Sequence, residues 1–115
     1  MGYTDISFNP SGTKFVTEAG IWDISNQELI LNFNRNNENH EVVNASWNND
    51  GSYISMSARD NKVRIYNVET CEIIVVLEGH TGLVHCVAFN PLSNNKVMTL
   101  STDLTMRVWS TVRLV

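Results

Sequence analysis

Short apolar runs separated by turn-forming residues divide this chain into strands. Val42–Trp47 and Val84–Phe89 are compact apolar segments of the kind that fill a buried inner strand. Asp50-Gly51, a hairpin turn signal, connects the first of them to a second strand over Tyr53–Ala58. After a turn at Asp60-Asn61, Lys62-Val63-Arg64-Ile65-Tyr66 alternates polar and apolar, the period-two signature of a strand with two unlike faces. Glu72–Leu77 supplies a fourth strand, and Gly79-His80 leads back to the next inner one. The plan then repeats as Leu83–Asn90, Lys96–Ser101, Thr105–Trp109 and an outer strand starting in Thr111–Val115. Pro91-Leu92-Ser93-Asn94-Asn95 is expected as the first turn of this segment, one residue longer than its counterpart.

Landmarks recur at a fixed interval. Phe8-Asn9-Pro10, Trp47-Asn48-Asn49 and Phe89-Asn90-Pro91 follow one another at steps of 39 and 42 residues. Ile21-Trp22-Asp23, Ile65-Tyr66-Asn67 and Val108-Trp109-Ser110 do so at 44 and 43, and His40 and His80 lie 40 apart. A period of about 40 to 45 residues with this punctuation resembles the WD40 repeat. The resemblance is specific from His40 to Trp109 and weaker from Met1 to Asn34. It implies an all-β chain, an incomplete WD40-type β-propeller of two to three four-stranded antiparallel blades. Residues 1–39 form a degenerate blade on this reading, 40–78 a complete one, and 79–115 a blade with a truncated outer strand.

The first segment is shortened. Phe8 to Trp22 is 14 residues, against 19 from Trp47 to Tyr66 and 20 from Phe89 to Trp109. About five residues are missing between Ala19-Gly20 and Ile21, where the turn from second to third strand belongs. The expected outcomes are a shortened hairpin hinged on Gly20, or one long strand replacing two. With a defective first repeat, a start inside a repeat and a stop at Val115, the chain is not expected to close a ring as a monomer.

In the WD40 family a buried polar network ties each blade together: Trp to a Ser or Thr, that hydroxyl to a His, and the His to an Asp. The resemblance places His80, Ser101, Asp103 and Trp109 in these roles, with Thr99 on the same strand as the other hydroxyl candidate. In the second segment His40 and Asp60 match, but Tyr66 replaces Trp and Ala58 stands where Ser101 would be. The network there is expected to be partial. Arg59, His85, Asn44 and Thr102 fall at places that open onto one rim of the disc, and they are the candidate protein-binding residues.

Composition narrows the function. Net charge is −4, no basic run exists, and nucleic-acid binding is therefore not expected. The longest apolar run, Ile73–Leu77, is far too short for a membrane span, and no signal segment opens the chain. Cys71 and Cys86 match neither CxxC nor a zinc spacing and read as small buried apolar residues in a reducing compartment. An intracellular, cytoplasmic setting follows, with the nucleus also open. No metal or cofactor motif is present, and the six glycines never cluster as a phosphate loop. Ser101, His80 and Asp103 have the residue types of a hydrolase triad, but no GxSxG elbow surrounds Ser101. Fifteen asparagines, many of them in Asn32–Asn39 and Asn48-Asn49, read as loops.

The sequence thus points to a protein-interaction scaffold without enzymatic activity, cofactor, small-molecule substrate or membrane contact. It would bind proteins through rim loops and open blade edges, self-association to complete a propeller among them. The alternative is a truncated or alternatively spliced piece of a larger WD40 protein.

Overall fold

The computed structural model describes residues 6–34 and 41–110. Eleven strands form three antiparallel sheets among these residues, each wound in chain order. The first sheet is β1 (Ser7–Phe8), β2 (Lys14–Thr17), β3 (Gly20–Asp23) and β4 (Leu29–Asn32). The second is β5 (Val42–Trp47), β6 (Tyr53–Ala58), β7 (Val63–Asn67) and β8 (Glu72–Leu77). The third is β9 (Val84–Asn90), β10 (Ser93–Ser101) and β11 (Met106–Ser110). Residues 35–40 and 111–115 lie outside the described residues, so His40 and the outer strand expected at the end of the third segment are not placed.

The second sheet is the centre of the molecule. Every residue of β6 is buried, and so are Val63, Arg64, Ile65 and Tyr66 of β7. Successive side chains on a strand point to opposite faces, so a strand buried throughout is covered on both sides. One face of the second sheet (Ala45, Ile54, Met56, Ala58 and Tyr66) packs against Val16, Ile21, Leu31 and Phe33 of the first. The other (Tyr53, Val63, Ile65 and Leu77) packs against Val84, Val87 and Val97 of the third. Polar links reinforce both seams. The Trp47 indole donates to the Ser7 carbonyl at 3.0 Å, and the Asn49 amide to the Pro91 carbonyl at 2.8 Å.

Among the described residues, the first and third sheets are covered on one face only. Along β10, Val97, Thr99 and Ser101 are buried while Met98 and Leu100 are exposed. On β11, Met106 and Val108 are exposed. The first sheet exposes Ile6, Phe8 and Ile24 on the side away from the second. The three stacked sheets are an open arc of a propeller.

In the shortened segment the structure forms a hairpin, not one long strand. Thr17 pairs with Gly20, Val16 with Ile21, Phe15 with Trp22 and Lys14 with Asp23, so Glu18-Ala19 alone make the turn. Gly20 is what allows so tight a reversal. Its φ is +144°, and a Cβ there would lie 1.8 Å from the Leu31 carbonyl oxygen on β4. The turn expected over Pro91–Asn95 is also shorter than the sequence suggested. β10 begins at Ser93, which pairs with Asn90, and the surplus residues are absorbed as a register shift before Val97.

Gly20→Ala combines a forbidden backbone angle with a backbone clash, and roughly 3 kcal/mol or more of stability should be lost. Gly12, at φ +71° with open space around its would-be Cβ, is the control, and Gly12→Ala should cost only about 1 kcal/mol. Urea midpoints of the two variants compare them directly; equal losses would show that the close approach of β3 to β4 does not matter.

Candidate functional site

The polar groups of the third sheet are arranged by strand register. Val97 on β10 faces Trp109 on β11, and Thr99 lies two residues further along the same buried face. The Trp109 indole therefore reaches diagonally and donates to Thr99 Oγ1 at 2.9 Å. Thr99 Oγ1 lies 2.6 Å from His80 Nε2, and His80 Nδ1 lies 2.8 Å from Asp103 Oδ2. With a neutral imidazole the chain is consistent in direction: indole N–H to hydroxyl, hydroxyl to Nε2, Nδ1–H to carboxylate. Asp103 is held well below the usual carboxylate range, first by the Thr105 hydroxyl and then by His80 and the Thr81 and Thr105 backbone amides, with burial opposing.

The hydroxyl in this network is Thr99, which corrects the assignment to Ser101. Ser101 shares the buried face but sits one pair too far along, beyond reach of the indole. It accepts the Asp103 backbone amide at 3.1 Å and so shapes the turn. His80, Asp103 and Trp109 are brought together with Thr99 in one chain of hydrogen bonds.

The first sheet contains a shorter version of the same contact. Trp22 faces Phe15, and its indole donates at 3.0 Å to Thr17, again two residues along the partner strand. The five-residue contraction thus shortens the turn but preserves the indole–hydroxyl bond.

In the second sheet Tyr66 faces Ile54, so the residue equivalent to Thr99 is Met56. Ala58 is the register equivalent of Ser101, as expected, but the network position on this strand is that of Met56. Donor and acceptor are both replaced here. Met56 and Tyr66 join the apolar core, where the Tyr66 ring lies 5.4 Å from Phe33. Asp60 is gripped by Arg64 through two contacts of 2.6 and 3.2 Å. On the third sheet the equivalent Arg107 instead lies over the Trp109 ring at 5.8 Å.

The four rim candidates separate on inspection. Arg59 and Thr102 occupy equivalent turns, their amides donating to the Glu41 and Leu83 carbonyls at 3.0 and 2.9 Å. The Arg59 side chain pairs with Glu41 at 2.8 Å and is partly exposed. Thr102 is exposed as well, and its hydroxyl accepts the Leu83 amide at 3.0 Å. His85 is exposed on a bulge: Val84 pairs with Ser101 and Cys86 with Leu100, leaving His85 unpaired between them. Its equivalent on the second sheet is Val43, since Val42 pairs with Ala58 and Asn44 with Ser57. Asn44 matches Cys86 and is half-buried, its carbonyl accepting the Ser57 hydroxyl at 3.4 Å.

At the opposite end of the blades the sequence reading missed a structural residue. Asn48 is almost fully buried, and its carboxamide oxygen accepts the Tyr53 amide at 3.0 Å. Asn9 does the same work in the first sheet, accepting from Thr13 and Lys14. The recurrence of Asn directly after Phe8, Trp47 and Phe89 was the available signal.

Residues 5–91 match the family described as the anaphase-promoting complex subunit 4 WD40 domain. The chain belongs to the WD40 family. It is similar to the WD repeat-containing protein WDS homolog of Arabidopsis thaliana, with 27% identity over 113 residues, 92% of this chain and 22% of that protein. It is also similar to GID complex subunit 7 of Schizosaccharomyces pombe, with 23% identity over 91 residues, 78% of this chain and 18% of that one. The crystal structure of the Cps50 (Swd1) β-propeller domain of Myceliophteria thermophila superposes with a TM-score of 0.80 at 16% identity, over 100% of this chain and 36% of that chain. The chain spans roughly a fifth of the length of these two curated relatives. The shared WD40 architecture is the blade and its stacking, both visible in the three sheets.

Thr99→Val keeps the shape of the side chain but strands the Trp109 indole and one nitrogen of His80. A loss of about 2–3 kcal/mol is expected, against about 1 kcal/mol for Ser101→Ala, which removes one bond in a turn. Chemical denaturation of both variants gives the order; a larger loss for Ser101→Ala would return Ser101 to the network.

Proposed function

We propose that this chain is a non-catalytic protein-interaction scaffold that engages protein partners through its rim turns and open blade faces. The observation that carries the reading is how the reactive residue types are used. Thr99, His80 and Asp103 stand in a hydroxyl–imidazole–carboxylate relay, yet Thr99 is 1% exposed and His80 7%. The hydroxyl oxygen already accepts the Trp109 indole, so it is a structural joint with no room for a substrate carbonyl. What the molecule offers to its surroundings is a set of well-anchored turns and two apolar sheet faces. Contiguous exposed apolar surface of this kind marks interaction sites. One relative bears the name of a complex subunit, which fits a role in assembly.

On the rim, Arg59 and His85 are the residues proposed to meet a partner. Both are exposed and stand on turns or bulges fixed by backbone hydrogen bonds. Bulges re-aim a side chain out of the ladder, as happens at His85. An intracellular setting belongs to the same reading and is supported by the free thiols of Cys71 and Cys86, although Cys71 is only half-buried and Cys86 is exposed, where the sequence reading had both buried.

Arg59→Ala combined with His85→Ala should change folding stability by no more than about 1 kcal/mol, because the Arg59–Glu41 pair is exposed. Quantitative affinity capture from cells, with wild type and the double variant side by side, should show a discrete partner set reduced at least about tenfold. An undiminished set in the variant would remove these two residues from the interface.

A further inference from the structure

The two open faces of this molecule are the two halves of a seam that the chain already forms twice. Register defines the equivalence. Phe8 faces Phe15 on the first sheet, Trp47 faces Ile54 on the second, and Phe89 faces Val97 on the third. Trp22, Tyr66 and Trp109 face the same three residues from the other side. At both internal seams the face carrying this aromatic pair meets an aliphatic face of the preceding sheet. Trp47 and Tyr66 pack with Val16, Ile21 and Leu31; Phe89 and Trp109 pack with Val63, Ile65 and Leu77.

The open face of the first sheet carries the same aromatic pair, Phe8 and Trp22, with Phe15 stacked on Trp22 at 6.2 Å. The open face of the third sheet is the aliphatic kind. By register Met106 and Val108 there are equivalent to Val63 and Ile65. Met98 and Leu100 are equivalent to Ser55 and Ser57. Phe8 and Val108 are 61% and 60% exposed, so both halves stand ready for a partner.

We infer that a second copy of this chain covers these faces, the aromatic face of one copy packing on the aliphatic face of the other. This goes beyond the rim reading and does not depend on it. The contact is head-to-tail: a first sheet follows a third sheet as a second follows a first within one chain. Two copies supply six blades, inside the range of about four to eight in which propellers close. The stacking of the three sheets is that of a propeller arc, since the whole chain superposes on part of a propeller domain with a TM-score of 0.80. A heterologous contact whose rotation closes yields a ring in which both seams are identical.

Light scattering coupled to gel filtration of the 115-residue chain should give twice the 13.0 kDa of one copy. Phe8→Asp and Val108→Asp each place a carboxylate in one half of the seam, and each should reduce the mass to one copy. An equimolar mixture of the two variants should restore the two-copy mass, because each contributes its intact half to a single seam. Circular dichroism reports whether each variant keeps its β-sheet; one that does not is replaced by Ile6→Asp or Met106→Asp on the same face. A one-copy mass for the wild type would overturn the inference, leaving the faces to other blades. A two-copy mass sensitive to only one variant would overturn it too, since like faces would then be paired. So would a mixture that stays at one copy.

Discussion

A blade of this kind has two faces, and the structure depends on covering both. A four-stranded sheet buries too little by itself to offset the conformational entropy of ordering its residues. Among the described residues only the second sheet has a neighbour on each face, and its inner strands show it. Ile54, Met56 and Ile65 are fully buried, and even Ser55 and Ser57 have no exposure. The first and third sheets each lend one face to that centre and keep one open. The alternation along β10, with Val97 and Thr99 inside and Met98 and Leu100 outside, is the same constraint seen in a single strand.

Within a covered face, polar groups survive by being matched. The indole–hydroxyl contact joins the third and second strands of a blade through side chains as well as backbone, and it appears as Trp109–Thr99 and Trp22–Thr17. In the second sheet both ends change together, to Tyr66 and Met56. That pairing makes physical sense. Replacing both partners by groups that pack is nearly neutral, whereas replacing one strands the other. His80 and Asp103 extend the contact to the turns of the third blade, so the network that rigidifies the core also fixes the rim.

Much of this was legible from spacing. The recurrence of Phe8, Trp47 and Phe89, and of Trp22, Tyr66 and Trp109, located the blades, because those residues hold equivalent positions in the ladders. His80, Asp103 and Trp109 were legible for the same reason. The hydroxyl was not. Thr99 and Ser101 have the same parity on one strand, and only the β10–β11 register, in which Trp109 faces Val97, decides which one the indole reaches. The bulge at His85, in the β9–β10 ladder, hid the equivalence of His85 with Val43. Asn48 was read as loop from its residue type, yet its side chain is the buried acceptor that closes a hairpin. Composition describes what a residue can do, and register determines where it does it. The contracted turn at Glu18-Ala19 was foreseeable as a deletion, but its outcome rested on Gly20 and on how closely β4 approaches.

Amide hydrogen exchange tests most directly the claim that covering both faces determines stability. In the single-copy state, reached by dilution, the amides of Ile54 and Ile65 should exchange slowest. Those of β2 and β11 should exchange at least about tenfold faster, reflecting easier local opening of half-covered sheets. Protection in β11 equal to or greater than that in β6 would contradict the account.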